Sequence, residues 1–458
     1  MRSVVVYLGI FLAGCSGDDL ADSAVRVEVD GTGPETDAEF EEVDDGGASA
    51  DTDDTDDTDD TDDTDASPAV PFNGCTNPGG EKAIGSAAAP RHIAMFPFTD
   101  ADTTTDAPDD EVDAYSCATD KSERGPERWY RFELTETREV RIEVSDDAGI
   151  DIDIHLLRNP TVTDGLATGC IARNDKVIVQ TLDAGTYWVV ADTFASASGV
   201  EYSGAYSLGV EAWIDGAWVE VPLGGGAVWR HRQTSGSKRQ RQDVLLLEPT
   251  SISVKPVRHD GCETVGHVAQ TEGAKFGINA AFYNSRCNPR TFLRVDGETL
   301  YQPELGAGER AVLWNNDESP IFRWLEDGGD ATDYAHGVGS YPSIVTDGEA
   351  SVEPLGTADF TVGRHPRTGF GVLDDGRMAW LVVDGRSSTA AGLSLPDFAD
   401  LMVEVGVVQG VNLDGGGSSM LYIEGCSVTG MVNFPSDGGG DDHGGWRAVA
   451  DGVYGWRR

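Results

Sequence analysis

Between residues 68 and about 213, apolar and polar positions alternate with a period of two. In "RWYRFELTETREVRIEVSDD" the apolar set Trp129, Tyr130, Phe132 and Leu134 gives way to a turn at Glu136-Thr137 and resumes at Val140, Ile142 and Val144. Successive side chains of a strand point to opposite faces, so this pattern predicts strands with one buried face. "GIDIDIHLL" and "GTYWVVAD" repeat it, and "YSGAYSLGVEA" supplies a last strand. Short strands separated by turn residues, with no helical period among them, predict an all-β sandwich for residues 68–213.

The pattern changes in residues 214–458, where an α+β domain with a mixed sheet is expected. Ser394-Leu395-Pro396-Asp397 has the form of a helix start with Pro in the first turn, and Phe398, Leu401, Met402 and Val405 follow at helical spacing up to Gly406. "MAWLVVDGR" before this helix and "VVQGVNLDGGGSS" after it are apolar runs ending in polar residues, as buried strands do. If the two strands are parallel neighbours, Asp384 and Asp414 come together at one edge of the sheet.

Ahead of both regions lie segments that are not part of a fold. Met1-Arg2 and the apolar run Val4 to Leu12, too short to span a bilayer, form a signal-peptide pattern (residues 1–15) ending in Leu12-Ala13-Gly14-Cys15. This ending resembles a bacterial lipobox, which implies acylation of Cys15, a membrane partner through the lipid alone, and the outer membrane of a Gram-negative cell. Residues 16–67 hold 22 acidic residues against the single Arg26, a large share of the chain's net charge of −47. Such a run repels itself and is expected as a solvated acidic tether. The balance argues against phosphate-backbone contacts, so nucleic acid is not an expected partner.

Export places the other six cysteines where disulfides form. Cys75, Cys117 and Cys170 precede residue 215; Cys262, Cys287 and Cys426 follow it. Odd numbers on each side require one bridge between the halves or a free thiol in each, and Cys262 with Cys287 is the first expected pair.

Candidate chemistry concentrates in the second half: Asn279 to Asn284, Arg364 to Gly369, Asp384-Gly385-Arg386, Asn412 to Ser419, and Asn433 to Gly438. Singly, each has a plain explanation as a turn or a solvated charge. In this order they resemble the phosphodiester glycosidase family, whose pattern is met by R-x-P-R-T, V-D-G-R, the Gly392 to Met402 helix, N-L-D-G-G-G-S-S, V-N-x-P-S-D-G and Arg447 to Ala450. Ala280-Ala281 in place of glycines, and Asp451 where Asn is frequent, depart from that pattern. Residues 115–212, with W-Y-R-F-E, D-I-D-I-H-L and L-x-A-G-T-Y-W-V, resemble the bacterial pre-peptidase C-terminal domain, an accessory module. There Asp151, Asp153 and Asp175 are either a Ca2+ site or, more often for acids at alternating strand positions, solvated side chains.

The resemblance implies hydrolysis of a sugar phosphodiester in a phosphorylated glycan, in which the anomeric carbon becomes cationic and phosphate departs. Asp414, then Asp384 and Asp437, are the candidate catalytic acids. Arg367 and Arg386 are expected on the phosphate and Arg364 among the substrate-binding residues, with the backbone of Gly415, Gly416, Gly417, Ser418 and Ser419 as an anion nest. Asn279 and Asn412 would orient sugar hydroxyls or the acids, Tyr283 would stack on the ring, and Asn433 and Ser436 are further substrate-binding candidates. Ca2+ or Mg2+ held by two of the acids is the alternative, and the two His residues beside motifs, His365 and His443, are weaker candidates for a base. Against this surface-anchored hydrolase stands a non-catalytic glycan-binding lipoprotein using the same cleft.

Overall fold

The near-continuous apolar runs of the second half become strands buried on both faces. The structure, a computed structural model, describes Cys75 and residues 83–302, 310–324, 331–351, 359–440 and 442–458. The signal segment with Cys15 and the 16–67 tether lie outside the described residues. An eight-stranded sheet runs in the order Val219–Gly224, Ala227–Thr234, Gln240–Leu247, Met378–Val383, Arg367–Leu373, Val407–Asn412, Ser343–Thr346, Glu349–Ala350. Along Gln240–Leu247, Leu245 and Leu247 point into one apolar cluster and Val244 and Leu246 into another; Met378–Val383 divides in the same way. That division is why neither strand reads as alternating in sequence.

On one face lie the helix Leu395–Glu404 and its buried Phe398, Leu401 and Met402. Its start is fixed as the sequence suggests, with the Ser394 hydroxyl accepting from Asp397 N–H at 3.2 Å and Pro in the first turn. Phe398 reaches the sheet because Gly369 has no side chain: a Cβ there would lie 2.9 Å from the Phe398 ring. On the other face lie a four-stranded sheet (Ile252–Glu263, Val449–Arg457, Phe276–Asn279, Leu421–Ile423) and a five-stranded one containing Leu293–Val295, Arg310–Trp314 and His336–Ser340.

The expected mixed sheet is not what forms: all strand pairs in these three sheets are antiparallel. The physical reason is the connections. Arg367–Leu373 returns as Met378–Val383 through a tight turn with Gly376 at φ +87°, and only a long crossover would make neighbours parallel. Met378–Val383 and Val407–Asn412 therefore flank Arg367–Leu373, each antiparallel to it. They run parallel to one another without being neighbours, and their C-terminal ends share one edge with Arg367.

Residues 91–213 form a second β-rich region of two main sheets, in the orders Arg91–His92, Glu127–Leu134, Gly185–Thr193, Ile152–Leu157, Cys170–Asn174 and Val177–Leu182, Arg138–Asp146, Ala205–Trp213, Phe98–Thr103. One apolar cluster draws on both: Tyr130, Phe132, Ile154 and Val189 from the first, Ile142, Val144, Leu208 and Val210 from the second. The Glu136-Thr137 turn crosses between sheets instead of closing a hairpin, because Glu127–Leu134 pairs with Gly185–Thr193 and Arg138–Asp146 with Ala205–Trp213.

The cysteines resolve the odd count by bridging the halves. Cys75 pairs with Cys426, Cys117 with Cys170 and Cys262 with Cys287. Ala66–Arg458 forms one compact unit. Among the described residues no helix is long and apolar enough to cross a membrane.

The Cys75–Cys426 link closes a loop of 351 residues and both cysteines are buried, so Cys426→Ser is expected to lower stability by about 2–5 kcal/mol. A thermal melt of the full chain unchanged by the substitution would contradict this.

Candidate active site

Asp414 stands at the shared edge of the eight-stranded sheet, directly after Val407–Asn412, and its backbone is held from two sides. Its N–H donates to Ala280 O at 3.0 Å, and its carbonyl accepts from Asn279 Nδ2 at 2.7 Å. The Asn279 carbonyl oxygen in turn accepts from Thr368 Oγ1 and Met420 N–H, so one buried amide ties three strands to the loop. Asp414 is half-buried as a residue. Burial pushes its carboxyl up to about 6, and the Ser418 hydroxyl, the Arg447 charge and the Gly415 N–H limit the rise.

The three glycines after it are required by the protein's own groups. A Cβ on Gly415 would lie 2.9 Å from the Pro366 carbonyl, one on Gly416 3.0 Å from Arg386 Nη1, and one on Gly417 against Asp437 and Arg447. Gly416 also sits at φ +64°, where a side chain would be strained. Three donors of the expected anion nest are engaged within the protein: Gly416 N–H donates to Pro366 O, Ser418 N–H to Gly415 O and Ser419 N–H to Gly416 O in a 3-10 turn over Gly416–Ser418. The loop's donors are largely spent on its own shape.

Arg447 grips Asp437 with two bonds of 2.7 and 2.9 Å over Gly417, and Ser436 opens the short turn that carries Asp437. Tyr283, its phenol donating to Ala448 O, lies beside Ser418, Arg447 and Asp414. Arg386, on the other side of the loop, directs Nε and Nη2 onto His365 Nδ1 at 3.3 and 3.0 Å. Burial, then the charges of Arg386 and Arg367, lower the His365 pKa, so the ring is neutral, with Nε2–H on the Asp359 carboxylate at 3.1 Å. A guanidinium facing a neutral acceptor keeps its full charge for an anion.

Several expected site residues are placed elsewhere. Asp384 is buried, accepting from Asn433 Nδ2 at 2.9 Å and Phe434 N–H at 2.8 Å, so it holds a backbone segment and does not face the cleft. Asn433 spends its other groups on Ser419 O and Leu421 N–H. Asn412 donates to Tyr341 O and Leu413 O, and Ser419 accepts from Thr368. Arg367 is buried, with its guanidinium on the carbonyls of Leu393, Phe360 and Gly363, a fork turned onto backbone instead of phosphate. Arg364 makes a surface ion pair with Asp397. In the N-terminal region Asp153 and Asp175 both engage Arg173. Among the described residues no group of three or more His, Cys, Asp or Glu is arranged to hold a metal.

The site also contains groups that the sequence reading left without a role. Arg447 stands in R-x-V-A and had no assigned task. Asp451 is buried in the strand Val449–Arg457 with Oδ1 accepting from Ala281 N–H at 2.7 Å; burial pushes it up to about 7, and the charge of Asp414 adds to the rise. A lone acid within an apolar strand, "VADGVYGW", was the available signal.

These features define an antiparallel β-rich scaffold in which the elevated Asp414 carboxyl lies beside the Tyr283 phenol and the Arg447 guanidinium. Residues 272–454 match the phosphodiester glycosidase family. The SPbeta prophage-derived uncharacterized protein YomE of Bacillus subtilis (strain 168) is 29% identical over 188 residues, 38% of this chain and 28% of that protein. The match thus spans under a third of that relative's length. Among solved structures, the catalytic domain of zebrafish N-acetylglucosamine-1-phosphodiester alpha-N-acetylglucosaminidase, auto-inhibited by its pro-peptide, aligns at 18% identity and TM-score 0.42 over 51% of this chain and 83% of that one. A hypothetical protein from Synechocystis aligns at 14% identity and TM-score 0.42 over 73% and 76%.

A carbon-13 NMR titration of the side-chain carboxyl should place the Asp414 midpoint near 6. Arg447→Met removes a charge that favours the carboxylate and should raise the Asp414 midpoint, whereas Asp414→Asn removes the charge that raises Asp451 and should lower the Asp451 midpoint, each by about 1 unit. Shifts in the same direction would contradict the arrangement.

Proposed function

We propose that the protein is a hydrolase of glycosyl-1-phosphodiesters, cleaving the bond between the anomeric carbon and the phosphate oxygen, with Asp414 as the reacting carboxylate. The observation that carries this is the half-buried Asp414, elevated to about 6, on a loop fixed from both sides and lying within the 272–454 match. Ionised, it either adds to the anomeric carbon or takes the proton from the attacking water; both routes deliver the water hydroxyl to the sugar. The C–O electron pair leaves with phosphate as a monoester. Such a leaving group is weakly basic, so a second carboxylic acid is not needed for protonation, in accord with Asp384 and Asp437 being engaged elsewhere.

Arg386 is the phosphate ligand in this reading, because its fork meets a neutral imidazole, whereas Arg447 is largely neutralised by Asp437 and orients Asp414. Tyr283 offers a ring face and a phenol to the sugar. Phe282, Tyr341 and Phe360, whose rings lie 6.4–6.5 Å apart in sequence of contact, extend an apolar wall for the rest of the substrate. The first β-rich region serves as the sandwich-like accessory module, and the lipobox and tether hold the enzyme at the outer surface of the cell envelope, where phosphorylated glycans are the substrate class.

The test is a panel of sugar-1-phosphodiesters, among them GlcNAc-1-phosphodiesters, incubated with the protein, with Asp414→Asn, and with EDTA added. Release of sugar and phosphomonoester, lowered by about 10^3-fold or more in Asp414→Asn, is expected. Binding of the panel without turnover would favour a glycan-binding lipoprotein and contradict the proposal.

A further inference from the structure

The first β-rich region sends one side chain deep into the layer beneath the site. Glu211, on its last strand Ala205–Trp213, grips Arg241 of the eight-stranded sheet through two 3.0 Å bonds, with both residues buried. Arg241 in turn donates from Nη2 to Val432 O at 2.7 Å, stands 4.0 Å from Asp384, and lays its guanidinium over the Phe434 ring at 4.1 Å. Arg141, also from the first region, lies 4.5 Å from the same ring. His443 donates from Nδ1 to Asn433 O and has its other nitrogen 3.7–3.8 Å from Glu143 and Glu211.

The Val432 and Asn433 carbonyls and the Phe434 N–H thus lead, through Arg241, His443 and Asp384, to the cluster around Glu211, while the Val432 N–H donates to Leu421 O. Arg241 is flanked by Glu211, Asp243 and Asp384, and these carboxylates differ. Burial pushes Asp243 up to about 8, whereas for Glu211 the Arg241 charge overrides burial and holds the carboxyl well below its usual range. Glu211 is therefore ionised against Arg241 at neutral pH, as Asp384, raised to about 6, largely is, whereas Asp243 is not. Without Glu211 the guanidinium is left with Asp243 at 3.6 Å and Asp384 at 4.0 Å, and the two oxygens of Asp384 are needed by Asn433 Nδ2 and Phe434 N–H. Three residues beyond Phe434 is Asp437, the partner of Arg447.

We infer that Glu211 is a positioning residue for the active site: through Arg241 it frees Asp384 to fix residues 432–434, and so sets the Asp437–Arg447 pair beside Asp414. The accessory region is then a working part of the catalytic unit, not a separable passenger. Two further ties support the junction, the Cys75–Cys426 link and the Thr99 hydroxyl on Gly425 O at 2.5 Å. The kinetic consequence rests on the proposed function; the structural consequence does not.

The test is hydrogen exchange by mass spectrometry on the full chain and on Glu211→Gln, which keeps shape and removes charge. Exchange in peptides covering 419–423 and 430–440 should rise at least tenfold, with peptides covering 127–134 and 185–193 unchanged. Glu211→Asp, which keeps the charge on a shorter stem, should fall between the two. On a sugar phosphodiester, Glu211→Gln should raise the acid-limb midpoint of kcat/KM toward that of Arg447→Met. Unchanged exchange at 430–440, or a uniform rise throughout the chain, would overturn the inference. If Glu211→Gln does not fold, Glu143→Gln weakens the same cluster at its edge, and a local rise confined to 430–440 is expected, with none overturning it. Wild-type protein inactive on every phosphodiester but showing the local rise would sink the proposed reaction and keep the coupling.

Discussion

A guanidinium with almost no access to solvent, that of Arg241, organises the protein from its centre. A buried charge is tolerable only when paired and hydrogen-bonded, and Arg241 meets that condition with partners from both β-rich regions at once: Glu211 from the first, Asp243, Asp384 and Val432 O from the second. Removing one partner of such a pair leaves an uncompensated charge in the interior, which is why the junction between the regions behaves as a core and not as a surface contact. The V-D-G-R motif acquires a physical meaning here. Its Asp is a clamp on the Asn433-Phe434 backbone, and its Arg continues past the strand to face the site.

The site built on this foundation depends on close approach. The glycines of "DGGGSS" let a backbone carbonyl, a guanidinium and an ion pair crowd onto successive residues, and the resulting turn engages three of its own N–H groups. What remains for a ligand is mainly side-chain chemistry: the Asp414 carboxyl, the Tyr283 phenol, and an Arg386 fork whose charge is set against neutral His365. Electrostatic preorganisation of this kind acts on charge that develops during reaction and needs no rearrangement at that moment.

Much of the scaffold was legible in the sequence because the signals were local. The period of two in residues 127–146, the helix start at Ser394 and the strand–helix–strand around it, and the Cys262–Cys287 pair all appear as expected. Pairing was not legible. The turn at Glu136-Thr137 crosses sheets, and the strands ending at Asp384 and Asp414 are separated by Arg367–Leu373, because neighbours are chosen by packing across the whole chain. Among the candidate site residues, type and motif were legible, but the contacts each side chain makes were not. Asn279, Asn433, Asp384 and Arg367 turn inward to satisfy buried backbone, a destination decided by distant elements that no local pattern reports. Asp451 and Arg447 act at the site through contacts with residues far away in sequence.

The central claim is that the anomeric carbon, not phosphorus, is attacked at Asp414. Hydrolysis of a sugar-1-phosphodiester in water enriched in oxygen-18, followed by mass spectrometry of both products, tests it most directly. The account predicts the label on the sugar and none on the phosphomonoester; label on the phosphate would show cleavage of the P–O bond and contradict it.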